Sequence, residues 1–172
     1  LNEYRSMGLI GAFGGSNWRH ERIAAANDYA AASGRQGMSL NNPNLTLAHA
    51  AEPMWPGCLT IDRAGRGWHE QTQFPLFSWS SMARGFFADT EDADALRAYD
   101  NVISRARRER VRQLARDRSV SPPQIAMAWV LNQPFPVFAL AGLRTPAQCD
   151  DTLHALQIQL SQKELDWLEM GD

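Results

Sequence analysis

The chain has 172 residues, 44% hydrophobic and 21% charged, with a formal net charge of -2 at pH 7. That hydrophobic share excludes intrinsic disorder by composition, and the near-neutral balance gives no long-range attraction to nucleic acid or to an anionic membrane. Cys58 and Cys149 stand far apart and outside any CxxC arrangement, which argues against a disulfide scaffold or a cysteine metal site. No apolar run is long enough to span a bilayer and no charged-then-apolar leader appears in these residues, so the expected location is the cytoplasm. The opening at Leu1, directly inside what reads as a domain, points to a fragment, a processed product or a split gene.

In chain order, Leu9, Ile10, Gly11, Ala12 and Phe13 form a short apolar run closed by Gly14 and Gly15, as expected of a buried parallel strand. Ser16 and Asn17 lead into an Ala-rich helix over residues 20–33 that stops at Gly34. Residues 38–42 read as a second strand, and residues 43–72, broken by Pro53, Pro56, Gly57, Gly65 and Gly67, as a long loop with short helical pieces. Phe74, Leu76, Phe77 and Trp79 mark a third strand. Residues 80–85 form a polar turn, and one helical region runs over residues 96–118.

Ser121-Pro122-Pro123 opens a helix, apolar on nearly every face, that Pro134 ends. Residues 136–141 form the fourth strand, Thr145-Pro146-Ala147-Gln148 a capping box, and Ser161-Gln162-Lys163-Glu164 the cap of a last helix. Four strand-to-helix units without a hairpin signal predict an α/β fold of parallel strands joined by right-handed crossovers. Periodicity leaves a partial barrel and a doubly wound sheet equally open.

In either architecture ligands meet the C-terminal strand ends, where helix N-termini present unpaired N–H groups. Ser16, Asn17 and Asn42 there offer the donors and acceptors a carboxamide needs, and Trp79 a flat apolar partner for a nicotinamide ring. Backbone N–H groups over residues 80–85 suit a pyrophosphate, and Arg144 a 2′-phosphate. Singly, each of these is more often an ordinary cap or core residue. Their joint placement makes the argument for a dinucleotide.

Four ordered strings carry a family resemblance: Ala12-Phe13-Gly14-Gly15-Ser16-Asn17-Trp18, residues 76–85 (LFSWSSMARG), residues 123–131 (PQIAMAWVL) and Gly142-Leu143-Arg144-Thr145-Pro146-Ala147-Gln148. In this order and spacing the chain resembles the second half of the aldo-keto reductases. The resemblance implies a partial (β/α)8 TIM barrel, about the last four strand-helix units, forming a single domain over residues 1–172. A complete barrel takes about 250 residues, more than this chain has. It implies NADP(H) as cofactor, with NAD(H) as the alternative. Ser16, Asn17 and Asn42 would hold the carboxamide and Trp79 would stack on the ring. Ser80, Met82 and Gly85 would line the pyrophosphate loop, and Gly142, Arg144, Gln148 and Asp151 would meet the adenosine end. Met82 departs from the usual leucine, and Thr152 from the usual asparagine.

The family's tyrosine acid, with its lysine, aspartate and histidine, belongs to the absent half. Lys163 is the only lysine, and Tyr4, Tyr29 and Tyr99 follow no strand. His20, His49, His69 and His154 are scattered. The chain is therefore expected to be inactive alone, its open strand edges covered by a missing N-terminal half or by another copy of the chain. The alternative is a non-catalytic nucleotide-binding or protein-interaction module. Arg105, Arg107, Arg108, Arg110, Arg112, Arg116 and Arg118 form a basic run interrupted by Glu109 and Asp117. With Ile103, Val111 and Leu114 facing inward, it reads as an outer helix, and no nucleic-acid partner is expected.

Overall fold

The structure, a computed structural model, describes residues 1–171. A short α1 (Asn2–Ser6) precedes β1 (Gly15–Ser16), α2 (His20–Ala32), β2 (Asn41–Asn42) and α3 (Arg63–Thr72). Then come β3 (Leu76–Ser78), a 3₁₀ turn (Ala83–Ala88), α4 (Ala93–Tyr99), α5 (Val102–Arg118) and α6 (Pro122–Leu131). β4 (Val137–Ala139), α7 (Pro146–His154) and α8 (Gln162–Met170) close the chain. The strands form one parallel sheet in the order β1-β2-β3-β4, so all four C-terminal ends lie along one edge. This is the expected α/β arrangement.

The first strand lies two residues beyond the apolar run expected to form it. Leu9 is 66% exposed, and pairing starts where the Phe13 carbonyl accepts from Ser39 N and Gly15 N donates to the Leu40 carbonyl. The glycines are needed there because of close packing. A Cβ on Gly14 would overlap the Leu40 carbonyl oxygen, and one on Gly15 would come within 2.8 Å of Ile23 Cδ1. The long helical region is also two helices. Asn101 accepts from Ser104 N to cap α5 and donates to the His49 carbonyl, which breaks the helix after Tyr99. The other caps follow the sequence. Ser121 with Gln124 and Ser161 with Glu164 make full capping boxes. Thr145 caps α7 through Gln148 N, but the Gln148 side chain turns back to Arg144 N instead of closing the box.

The core lies on one side of the sheet only. Leu76 and Ser78 are buried beneath the helices with Phe86, Tyr99, Ile125 and Trp129, and Val137 and Ala139 pack against that core. The register sets Ser16 beside Asn42, and Phe77 beside Phe138, on the opposite face. There Ser16 is exposed, Phe138 is 52% exposed and stacks on Phe77 at 4.7 Å, and Leu140 is also uncovered. Among the described residues β1 pairs only with β2 and β4 only with β3. The sheet thus has one bare face and two open edges.

The arginines of α5 tie helices together. Arg107 and Arg110 donate to the Glu169 carbonyl, Arg110 also to the Leu168 carbonyl, satisfying acceptors that a helix C-terminus leaves unpaired. Arg108 and Arg112 pair with Asp89, Arg105 with Asp100 and Arg118 with Glu164. Ile103 is 43% exposed, so the inward stripe of α5 is Ser104, Val111, Leu114 and Ala115 instead. No described helix is long and apolar enough to cross a membrane.

His69 of α3 is fully buried against Phe74 and Phe135, with Nδ1 2.7 Å from the Phe74 carbonyl and Nε2 without a partner among the described residues. Burial pushes its pKa below the ordinary 6.5. The unfolded chain therefore binds the extra proton first as pH falls below about 6.5, and stability drops by at most about 1.4 kcal/mol per pH unit until the folded imidazole also protonates. Urea unfolding at pH 8 and pH 5.5 checks this, and His69→Phe is expected to flatten the difference.

Candidate cofactor site at the strand ends

The residues singled out at the strand ends divide into a group that converges and a group whose polar atoms are spent inside the fold. Ser16 Oγ lies 3.3 Å from Asn42 Oδ1, and the Asn42 amide donates to the Phe77 carbonyl at 2.5 Å. The parallel register makes Ser16, Asn42 and Phe77 one row across three strands on the bare face. Phe77 was not among the residues expected from sequence. Alternation assigns it to a face only once the register is known.

Asn17 adopts a left-handed backbone, φ 56°, which asparagine tolerates better than most residues. Its Oδ1 accepts from Leu59 N and from Trp79 Nε1, each at 3.0 Å. Trp79 is half-buried against the core, and its ring packs against Trp55 at 4.8 Å. One face of the Trp79 ring is thus covered by another indole. Asn44, fully buried, accepts from Thr60 Oγ1 and donates to the Trp79 carbonyl, which ties the loop after β2 to the end of β3.

Beyond Trp79, the backbone is left-handed at Ser80, Ala83, Arg84 and Gly85. The amides of Ala83 and Gly85 donate to Ser80 and Met82 carbonyls, Ser81 Oγ turns inward to Ser78, and Arg84 pairs with Asp92. Met82 Sδ lies against Thr152 Oγ1 at 4.0 Å. The turn is a compact unit, and Gly85 spends its N–H within it.

At the end of β4, residues 140–148 are all exposed. Arg144 follows Gly142 at the N-terminus of α7 and makes no ion pair among the described residues. Its N–H donates to the Gln148 side chain. Asp151 points the other way, accepting from Ser121 Oγ at 3.1 Å and from Gln124 Nε2 at 2.8 Å, so it braces the start of α6.

The groups able to supply a proton lie elsewhere. Tyr99 is sealed in the core, and burial pushes its pKa up to about 12. Tyr4, Tyr29 and Lys163 are exposed on helices. Among the described residues no three His, Cys, Asp or Glu side chains gather to hold a metal.

A sequence model of the aldo/keto reductase family matches residues 1–170. The versiconal hemiacetal acetate reductase of Aspergillus parasiticus is 28% identical over 142 residues, which cover 75% of this chain and 38% of that protein. The fold matches a thermostable aldo-keto reductase crystallised with the inhibitor epalrestat, at a TM-score of 0.70 and 18% identity over 99% of this chain and 52% of the other. It also matches an aldo/keto reductase from Klebsiella pneumoniae in complex with NADP and acetate, at a TM-score of 0.67 and 20% identity over 97% and 51% of the two chains. The chain spans about half the length of these structures and less of the curated relative. With its strand-end motifs inside a match that runs through residue 170, the chain belongs to the aldo/keto reductase family.

Proposed function

We propose that this chain is the C-terminal, cofactor-holding half of an NADP(H)-dependent aldo-keto oxidoreductase that reduces carbonyls to alcohols. In this reading its sheet is the last four strand-helix units of a (β/α)8 barrel. The observation that carries the reading is the bare face bearing Ser16, Asn42, Phe77 and Phe138. Parallel sheets are normally covered on both faces, and in a barrel the far strands supply the second cover.

The donor set fits a nicotinamide dinucleotide. Ser16 and Asn42 offer hydroxyl and amide groups to a carboxamide, the Trp79 ring keeps the face turned from Trp55 for the nicotinamide, and the stacked Phe77 and Phe138 add apolar surface beside the row. The exposed guanidinium of Arg144 suits a 2′-phosphate, which favours NADP(H) over NAD(H). Asp151 and Gly85 act in this reading through the loops they brace. Bound NADP(H) supplies the hydride. The alkoxide that hydride transfer creates needs a proton, and we assign its donor to the other half, so this chain is not competent alone.

Reconstitution tests the reading. Mixing the purified chain with a polypeptide carrying the first four strand-helix units of a relative's barrel is expected to produce aldehyde-dependent NADPH oxidation that neither part shows alone. A folded complex that binds NADPH and turns over no carbonyl substrate would favour a non-catalytic nucleotide-binding module. A chain that is already a stable dimer, with Phe138 protected, would instead place a second copy on the bare face.

A further inference from the structure

We infer that Trp79 is a positioning residue that fixes which edge of the Asn17 carboxamide faces a bound ligand; the inference rests on the cofactor reading above. Two N–H donors, from Leu59 and from the Trp79 indole, converge on one terminal atom of Asn17, each at 3.0 Å. An NH₂ group cannot accept from either, so that atom is the oxygen. The oxygen is thereby saturated from within the chain. Asn17 is not fully buried, and its NH₂ has no partner among the described residues. Asn17 therefore presents a donor edge and takes an acceptor, as the carbonyl oxygen of a nicotinamide carboxamide would be.

Trp79 is held firmly enough to dictate this orientation. Its ring is packed against Trp55 at 4.8 Å, its carbonyl accepts from the buried Asn44 amide at 2.8 Å, and its backbone N–H donates to the Pro43 carbonyl. Leu59, the second donor, lies on the loop that Asn44 ties down by accepting Ile61 N and donating its own N–H to the Leu59 carbonyl. The Trp55 contact covers one face of the Trp79 ring, and the indole N–H is spent on Asn17. The influence of that N–H on the cofactor runs through Asn17.

The test uses calorimetric affinities of the full chain for NADP⁺ and for 2′-phospho-ADP-ribose, which lacks the nicotinamide. Trp79→Phe keeps a ring against Trp55 and removes one of the two N–H donors on the Asn17 oxygen, leaving Leu59 N–H alone to oppose a turn of the amide. It is expected to weaken NADP⁺ about five- to tenfold and to leave 2′-phospho-ADP-ribose unchanged. Asn17→Asp keeps both accepted bonds and tolerates the left-handed backbone but offers an oxygen where the NH₂ stood. It is expected to weaken NADP⁺ at least as much, and adding Trp79→Phe to it should change the affinity less than twofold. Equal weakening of both ligands by Trp79→Phe, or the same loss with and without Asn17→Asp, would overturn the inference. So would equal wild-type affinity for both ligands, since no nicotinamide contact would then exist. A folded wild-type chain that binds neither ligand overturns the cofactor reading itself.

Discussion

Glu169→Ala is expected to lower the unfolding free energy by about 2–3 kcal/mol. Glu169 takes both arms of the Arg66 fork, at 2.8 and 2.6 Å, and its Oε1 also lies 3.6 Å from Arg107. The Arg66 and Glu169 side chains are 19% and 21% exposed, so the pair sits between the two limits for ion pairs. Fully exposed pairs contribute at most about 1 kcal/mol, whereas breaking a buried one costs about 3–5 because the remaining charge is stranded. Burial already pushes the Arg107 pKa below its ordinary value, and Glu169 is the group that offsets this. Removing the carboxylate leaves Arg66 and Arg107 facing each other. Glu169→Gln keeps the shape and is expected to cost roughly half as much. Urea unfolding followed by circular dichroism reads both values. A loss under about 0.5 kcal/mol would mean that Leu165 and Leu168 hold α8 in place by apolar contact alone.

Arg144→Ala is expected to weaken NADPH binding by about tenfold or more, the worth of a charge-assisted guanidinium–phosphate contact, while NADH affinity changes little. The guanidinium stands on an exposed segment at the start of a helix and competes with no carboxylate among the described residues. A 2′-phosphate there gains both the charge and the helix N-terminus. Because the contact is exposed, its contribution is screened by salt, so the difference between wild type and variant should shrink as ionic strength rises. Equal loss for NADPH and NADH would make Arg144 a determinant of loop structure instead of a phosphate ligand.

The elements most legible in the sequence were those with local punctuation. The Ser121-Pro122-Pro123 and Ser161–Glu164 starts involve hydrogen bonds within three or four residues, so the pattern contains its own reason. The misplaced first strand had the opposite character. The apolar residues 9–13 looked like a buried strand, but what decides the pairing is how closely Gly14 and Gly15 approach Leu40 and Ile23, and that is a tertiary property. The break between α4 and α5 depended on Asn101 reaching back to His49, more than fifty residues earlier.

The site divides the same way. That Ser16, Asn17, Asn42, Trp79 and Arg144 gather at one edge follows from parallel strands alone, and the sheet is parallel. Which of them keep a free surface did not follow. Trp79 gives one face to Trp55 and its indole N–H to Asn17, and Asp151 gives its carboxylate to Ser121 and Gln124. Those partners are distant in sequence. Phe77 escaped notice because an aromatic in a strand reads as core until the register shows it beside Asn42 on the uncovered face.

The most direct measurement of the central claim is an equilibrium titration of NADPH into the purified, size-characterised chain, followed by cofactor fluorescence. Saturable one-to-one binding, weakened by Arg144→Ala, is the expected result. No binding by a chain shown to be folded would contradict the account, and would leave the strand-end motifs as scaffold without a ligand.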